Sequence, residues 1–142
     1  MPSPLPLKVA IATYGHSAAL KDGRVVIEGV APGFIEINPI IQAFRRMVRD
    51  VEFDVCEMAP ATYMIARSFG APFKALPIFI FRRFHHGGLV YREDSGIRQP
   101  QDLEGKRVGV RAYSVSTGIW TRGILANEYG VDTAKVTWVV DD

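Results

Sequence analysis

Between Arg107 and Val140 the chain spells a strand, a helix and a second strand, and that order restricts the fold more than any other feature. Arg107-Val-Gly-Val110 is short, apolar and β-prone. From Ser116 onward, Ile119, Trp120, Ile124, Leu125 and Tyr129 mark an amphipathic helix that Gly130 closes. Val136-Thr-Trp-Val-Val140 then reads as a strand. Strand, helix, strand over this distance is a right-handed crossover with a parallel pair, so the layer is α/β. Parallel strands normally have both faces covered by helices. With the sequence stopping just after the second strand, more chain is expected beyond the C-terminus.

The N-terminal part repeats this alternation with weaker signals. Leu7–Ala12 is expected to form the first strand and Thr13–Ser17 a loop, while Asp22-Gly23 marks a turn. Val25–Glu28 and Gly33–Asn38 are expected to be short extended segments. Over Pro39–Val51, the spacing of Ile40, Ile41, Phe44, Met47 and Val48 predicts a helix with Arg45, Arg46 and Arg49 on its solvated face. Phe53–Met58 is a strand-to-helix junction, and Pro60 opens a helix running to about Phe69, which Gly70-Ala-Pro72 stops. The apolar run Ala75–Phe81 reads as a strand ending in the polar cluster Arg82-Arg-Phe-His-His86. Leu89–Tyr91 extends again, Arg92–Gly96 connects, and Ile97–Leu103 offers a helical turn.

The 142 residues, 48% hydrophobic and 23% charged, fit a soluble globular chain with one ordinary core and argue against a disordered or membrane class. Seventeen basic and fifteen acidic residues give a net charge of +2 without a one-sided basic patch, so nucleic acid is not an expected partner. No stretch approaches the roughly 18 apolar residues of a membrane span. Without a basic opening followed by about 7–15 apolar residues, the expected location is the cytoplasm. The single cysteine, Cys56, excludes an intrachain disulfide and a cysteine metal cage, and its apolar setting suits a structural thiol. The sequence does not fix an oligomeric state.

An ordered set of motifs carries a family resemblance. It comprises Asp22-Gly-Arg24, Glu52-Phe-Asp54 with Glu57-Met58, Arg82-x-Phe84-x-His86, Ser95-Gly-Ile97, Asp102-Leu with Gly105-Lys-Arg-Val-Gly-Val110, and Trp120-x-Arg122-Gly-Ile-Leu125 with Glu128-Tyr-Gly130. In these the chain resembles the 4,5-dihydroxyphthalate decarboxylase family. The resemblance implies an α/β type II periplasmic-binding-protein-like fold, two lobes with a ligand cleft between them and the second lobe truncated. Residues 1–91 would form the first lobe, 92–104 a connector and 105–142 the start of the second. It also implies a carboxy-lyase acting on a hydroxylated, phthalate-like aromatic carboxylic acid. The alternative is a substrate-binding protein of an ABC transporter capturing a small organic anion, which would be periplasmic. The chain departs from the family pattern at Arg111-Ala-Tyr-Ser114, where decarboxylase-like members carry Pro-Glu-Tyr-Gln.

The candidate residues have matching chemistry. Arg82 offers a carboxylate a forked set of donors that lysine lacks. The imidazole of His86, with an unperturbed pKa of about 6.5, suits either proton delivery to an aromatic carbon or a hydrogen-bonded structural role. Alternation along an extended segment would put Arg82, Phe84 and His86 on one face and turn Arg83 and His85 away. Glu57 can orient His86, accept a phenolic proton, or complement the positive end of the helix after it, capping being the simplest role. Tyr14 is a candidate ligand donor, with His16 beside it. Tyr113, Ser114, Ser116 and Thr117 precede or open the last helix, whose N-terminus favours an anion, and Ser116 is the expected N-cap. Trp120 and Arg122 read as structural. Adjacent histidines without a His-x-x-x-His or cysteine cluster give no metal site, and no cofactor is expected.

Overall fold

The computed structural model of the chain describes residues 3–140, which divide into two compact units, Met1–Ile78 and Phe79–Asp142. Both are mixed α/β and both are built on small parallel sheets.

The first unit holds β1 (Leu5–Ala10), α1 (Ala18–Lys21), β2 (Val30–Phe34), α2 (Ile41–Asp50), β3 (Val55–Cys56) and α3 (Pro60–Ser68). The strands run parallel in the order β2-β1-β3, with Leu5 opposite Val30 and Ala10 opposite Cys56. Of the two expected extended segments only the second has a counterpart, β2, which lies earlier in the chain than expected. Val25–Glu28 is bend and turn, and pairing begins at Val30, passing through Pro32 and Gly33. A proline without an N–H is tolerated there because β2 is an edge strand. The predicted helices appear as α2 and α3, with Pro60 at the first helical position of α3. The short α1 has no counterpart in the sequence reading.

Ala10, Ala43, Met47 and Phe53 form the buried centre of this unit, ringed by Ile35, Ile37, Ile40, Phe44, Cys56, Met58 and Phe73. Ala10 in β1 and Ala43 in α2 are wholly buried. The absence of larger side chains at both positions allows the helix to approach the central strand, and Phe53 fills the space beside them. A charged cover lies over Phe53. Lys8 Nζ and the Arg46 guanidinium stand 5.2 and 5.1 Å from its ring, and both bind the Glu52 carboxylate. The Lys8 N–H also donates to Asp54 at 2.7 Å. The Glu52-Phe-Asp54 motif thus ties α2 and β3 to β1, and Arg46 departs from the expected solvated face.

Hydrogen bonds from Arg46 first and Lys8 second hold the Glu52 carboxyl down at about 2, against an ordinary 4.5. A folded pKa below the unfolded one contributes stability that is complete above pH 4.5 and is lost as pH falls toward 2. Glu52→Gln is expected to remove this part of the acid sensitivity, making the urea midpoint flatter between about pH 5 and about pH 2 than in the parent. Parallel pH dependences in the two proteins would contradict it.

The second unit holds β4 (Arg107–Val110), α4 (Ser116–Asn127) and β5 (Thr137–Val140), with 3-10 turns at His86–Gly88, Glu93–Ser95, Pro100–Leu103 and Thr133–Lys135. As the strand-helix-strand spacing predicts, β4 and β5 are parallel, in register from Arg107 opposite Thr137 to Val110 opposite Val140. Leu103, Leu125, Val131 and Val136 are buried together, with Leu89, Ile97, Val108 and Trp138 against them. Glu104 joins the approaches to the two strands, accepting the Asp132 N–H at 2.9 Å and pairing with Lys135 at 3.0 Å. At Gly118 a Cβ would lie 3.0 Å from Val110 and 3.3 Å from Val115, so glycine is what lets the first turn of α4 sit on the end of β4. The helix ends at Asn127 with Glu128 as its C-cap, so the expected cap Gly130, with φ +65°, lies two residues beyond it.

Three expectations fail here. Ala75–Phe81 is not a strand: Leu76, Ile78, Phe79 and Phe81 are exposed and make no ladder. The N-cap of α4 is Val115, with no side-chain cap, and Ser116 is the first helical residue. Trp120 is 55% exposed and does not enter the core, which takes Leu125 instead.

Candidate functional site

In the first unit the connection from β1 goes to β2 on one side, and the chain then returns to place β3 on the other. The carboxyl ends of β1 and β3 therefore flank a topological switch point, the position where open parallel sheets bind ligands. Two predicted residues meet there. The Glu57 N–H donates to Ala10 O at 2.8 Å, extending the β1–β3 pairing. Its carboxylate turns back toward the loop after β1, accepting the Tyr14 hydroxyl at 2.7 Å on Oε1 and the Ala12 N–H at 3.2 Å on Oε2. Burial and, next, the Glu57 hydrogen bond push the Tyr14 phenol up to about 12. Glu57 does not cap α3; the cap position is Ala59, without a side-chain bond.

The loop itself is fixed from within. The buried Ser17 hydroxyl accepts the Tyr14 N–H at 2.8 Å and donates to Ala12 O at 2.9 Å. Lys21, whose side chain is 8% exposed, donates to Ile11 O at 2.9 Å and Thr13 Oγ1 at 2.7 Å and pairs with Glu36. The Tyr14 and His16 rings stack at 5.3 Å and 9°. Ser17 and Lys21, at the two ends of α1, escaped the sequence reading because a single hydroxyl and a single amine carry no pattern of their own.

Cys56 lies next to Glu57, half-buried, and its thiol is pushed up to about 12 by burial and then by the Glu57 charge. It donates to Glu57 O at 3.0 Å. This is the structural thiol the sequence suggests. Since the thiolate is the reactive form, alkylation of the folded protein at about pH 8 is expected to run at least ~100-fold slower than in urea. Equal rates would place the thiol in a different environment.

In the second unit, residues 83–88 lie along α4. Arg83 Nη2 donates to Thr117 Oγ1 at 3.1 Å. The His85 ring stacks on Trp120 at 6.4 Å and 3°, and His86 Nε2 is 3.0 Å from Glu128 Oε2. The expected division of this cluster does not hold. Without a strand there is no alternation: Arg83 and His85, expected to look elsewhere, face α4, and His86 meets Glu128 just past its end. Phe84 still meets His86, with ring centres at 6.3 Å, while Arg82 is exposed with its guanidinium 5.3 Å from the Phe79 ring. His85 Nδ1 is buried without a hydrogen-bond partner. Burial, then Arg83 and His86, lower its pKa, which suits a neutral ring against the indole.

Of the residues before α4, Tyr113 is engaged by Arg122, whose guanidinium lies 3.9 Å from its ring and donates to its carbonyl oxygen at 2.6 Å. Arg122 also reaches the Trp138 ring at 5.5 Å. Ser114 is exposed in the turn, and Thr117 accepts from Arg83. A shallow hollow at the carboxyl ends of β4 and β5 is lined by Gly109, Val110, Arg111, Val139 and Val140. Glu57 with Tyr14 thus belongs to one unit, and Arg82, His86, Tyr113, Ser114, Ser116 and Thr117 to the other.

Comparison with known proteins adds a family and two relatives. Residues 45–142 match the family described as NMT1/THI5 like. A 4,5-dihydroxyphthalate decarboxylase of Comamonas testosteroni is 38% identical over 138 residues, 96% of this chain and 42% of that protein. A 4,5-dihydroxyphthalate decarboxylase of Pseudomonas putida is 36% identical over 136 residues, 95% of this chain and 52% of that protein. The chain spans about half the length of the curated relatives it matches.

Proposed function

Because the chain belongs to the NMT1/THI5-like family, we propose that it serves the decarboxylation of a hydroxylated, phthalate-like aromatic acid, as a carboxy-lyase resembling 4,5-dihydroxyphthalate decarboxylase. The observation that carries this reading is the similarity, over 95–96% of the chain, to two proteins of that name. The geometry supports it at one point in particular. Glu57, at a sheet switch point, already accepts a phenolic O–H, that of Tyr14.

In the proposed reaction the bond between the ring and its carboxylate breaks, the electron pair stays on the ring carbon, and carbon dioxide leaves. His86 delivers the proton that replaces it, with Glu128 orienting the imidazole. Glu57 accepts a hydrogen bond from a ring hydroxyl, raising the electron density of the ring and easing protonation. Arg82 and the groups at the start of α4, Tyr113, Ser114, Ser116 and Thr117, hold carboxylate oxygens, aided by the helix dipole. The two-lobe division at residues 1–91, 92–104 and 105–142, the periplasmic-binding-protein-like fold and the cytoplasmic location belong to the same proposal. A panel of hydroxylated phthalates and benzoates tests it, following carbon dioxide and the thermal shift together. Release from a dihydroxyphthalate is expected. A thermal shift without release would instead favour a binding protein.

A further inference from the structure

The carboxyl ends of the first unit's strands are rich in acceptors. Glu36 follows β2 and Glu57 follows β3, and the nearby Lys21 is already taken up by Ile11 O, Thr13 Oγ1 and Glu36. Such an edge suits a ligand's hydroxyl hydrogens and repels its carboxylates. Glu57 is held on two sides that differ in kind. The Ala12 N–H is main chain, within a loop closed by Ser17, and cannot leave. The Tyr14 hydroxyl is carried by a side chain that can swing aside by rotation about χ1.

We infer that Tyr14 is a specificity-determining residue: its phenol occupies, in the free protein, the Glu57 oxygen that a phenolic hydroxyl of the ligand takes over on binding. This rests on the reading of Glu57 as the acceptor for a ring hydroxyl. The exchange replaces one phenol by another on the same carboxylate, so an aromatic ring with hydroxyls can make it and a ring without them cannot. Hydrogen bonds to an ionised acceptor are about twice as strong as neutral ones, and they favour the more acidic donor. The Tyr14 phenol, whose ordinary value is 10.0, is the occupant that a ligand hydroxyl must displace. It sets a threshold that weaker hydroxyl donors do not pass.

The test measures binding of catechol and of phthalate to the parent protein and to Tyr14→Phe, which keeps the ring stacked on His16. Catechol is expected to bind roughly tenfold tighter to Tyr14→Phe, the low end of what a hydrogen bond to a charged group is worth, with phthalate unchanged. Weaker or equal catechol binding by the variant, or an equal gain for phthalate, overturns the inference, as does failure of the parent protein to bind catechol. A measurement on the parent protein covers the case of a misfolded variant. In ring-labelled tyrosine followed by NMR at neutral pH, saturating catechol is expected to shift the tyrosine signal that is missing from Tyr14→Phe, and phthalate to leave it in place; an unmoved signal with catechol is contrary. Carbon dioxide release is scored separately. Its absence alongside the catechol effects sinks the decarboxylase reading and leaves this inference standing, and its presence with a weakened Tyr14→Phe does the reverse.

Discussion

Under the proposed decarboxylation, changing His86 to alanine is expected to slow carbon dioxide release from 4,5-dihydroxyphthalate by roughly 10²–10⁴-fold, the usual contribution of a positioned proton donor. The imidazole sits at the start of a 3-10 turn, its side chain 43% exposed, with one ring nitrogen held by Glu128 at 3.0 Å. None of the buried residues Leu103, Leu125, Val131 or Val136 packs through it, so the variant should melt close to the parent. Glu128→Gln serves as a control because it retains an acceptor while removing the charge, and it should lose less activity than His86→Ala. If turnover in His86→Ala matches the parent, the proton comes from elsewhere.

The largest stability effect is expected at Phe53. Truncation to alanine removes a ring that is 3% exposed and packed with Ala10, Ala43 and Met47. Loss of the buried ring and the cavity it leaves cost about 3–5 kcal/mol. The two small neighbours cannot grow to fill the space, and Lys8 and Arg46 lose the surface over which their charges lie. Urea unfolding checks the figure, and a loss below ~1 kcal/mol would mean that Phe53 is not central to the first unit.

Much of the architecture is legible without coordinates, for definite reasons. The strands β1, β4 and β5 and the helices α2, α3 and α4 are each long enough to show a period, and Pro60, Gly70 and Gly130 punctuate them where the backbone requires it. Ala75–Phe81 shows the limit of that reasoning. Apolar character describes what a residue would gain by burial, whereas a strand exists only if another strand offers partners, and none does here. The failed assignment of faces within Arg82–His86 follows from the same error, since a period of two applies only to extended chain. At the site, Tyr14 and Glu57 are each recognisable as ligand-facing candidates, yet they lie 43 residues apart. Their meeting depends on β1 and β3 being neighbours, which needs the strand order β2-β1-β3. Glu128 appears in the sequence only within the Glu128-Tyr-Gly130 motif; an acid near a helix end is ordinary until a histidine is placed beside it.

The stack of His85 on Trp120 has a practical use. One face of this exposed indole is covered by imidazole while the chain holds residues 83–88 along α4. With Trp138 the other of the two tryptophans, a Trp138→Phe protein would emit from Trp120 alone. Its fluorescence would then be a built-in optical gauge of how long that segment stays down, readable during a stopped-flow experiment without any added dye.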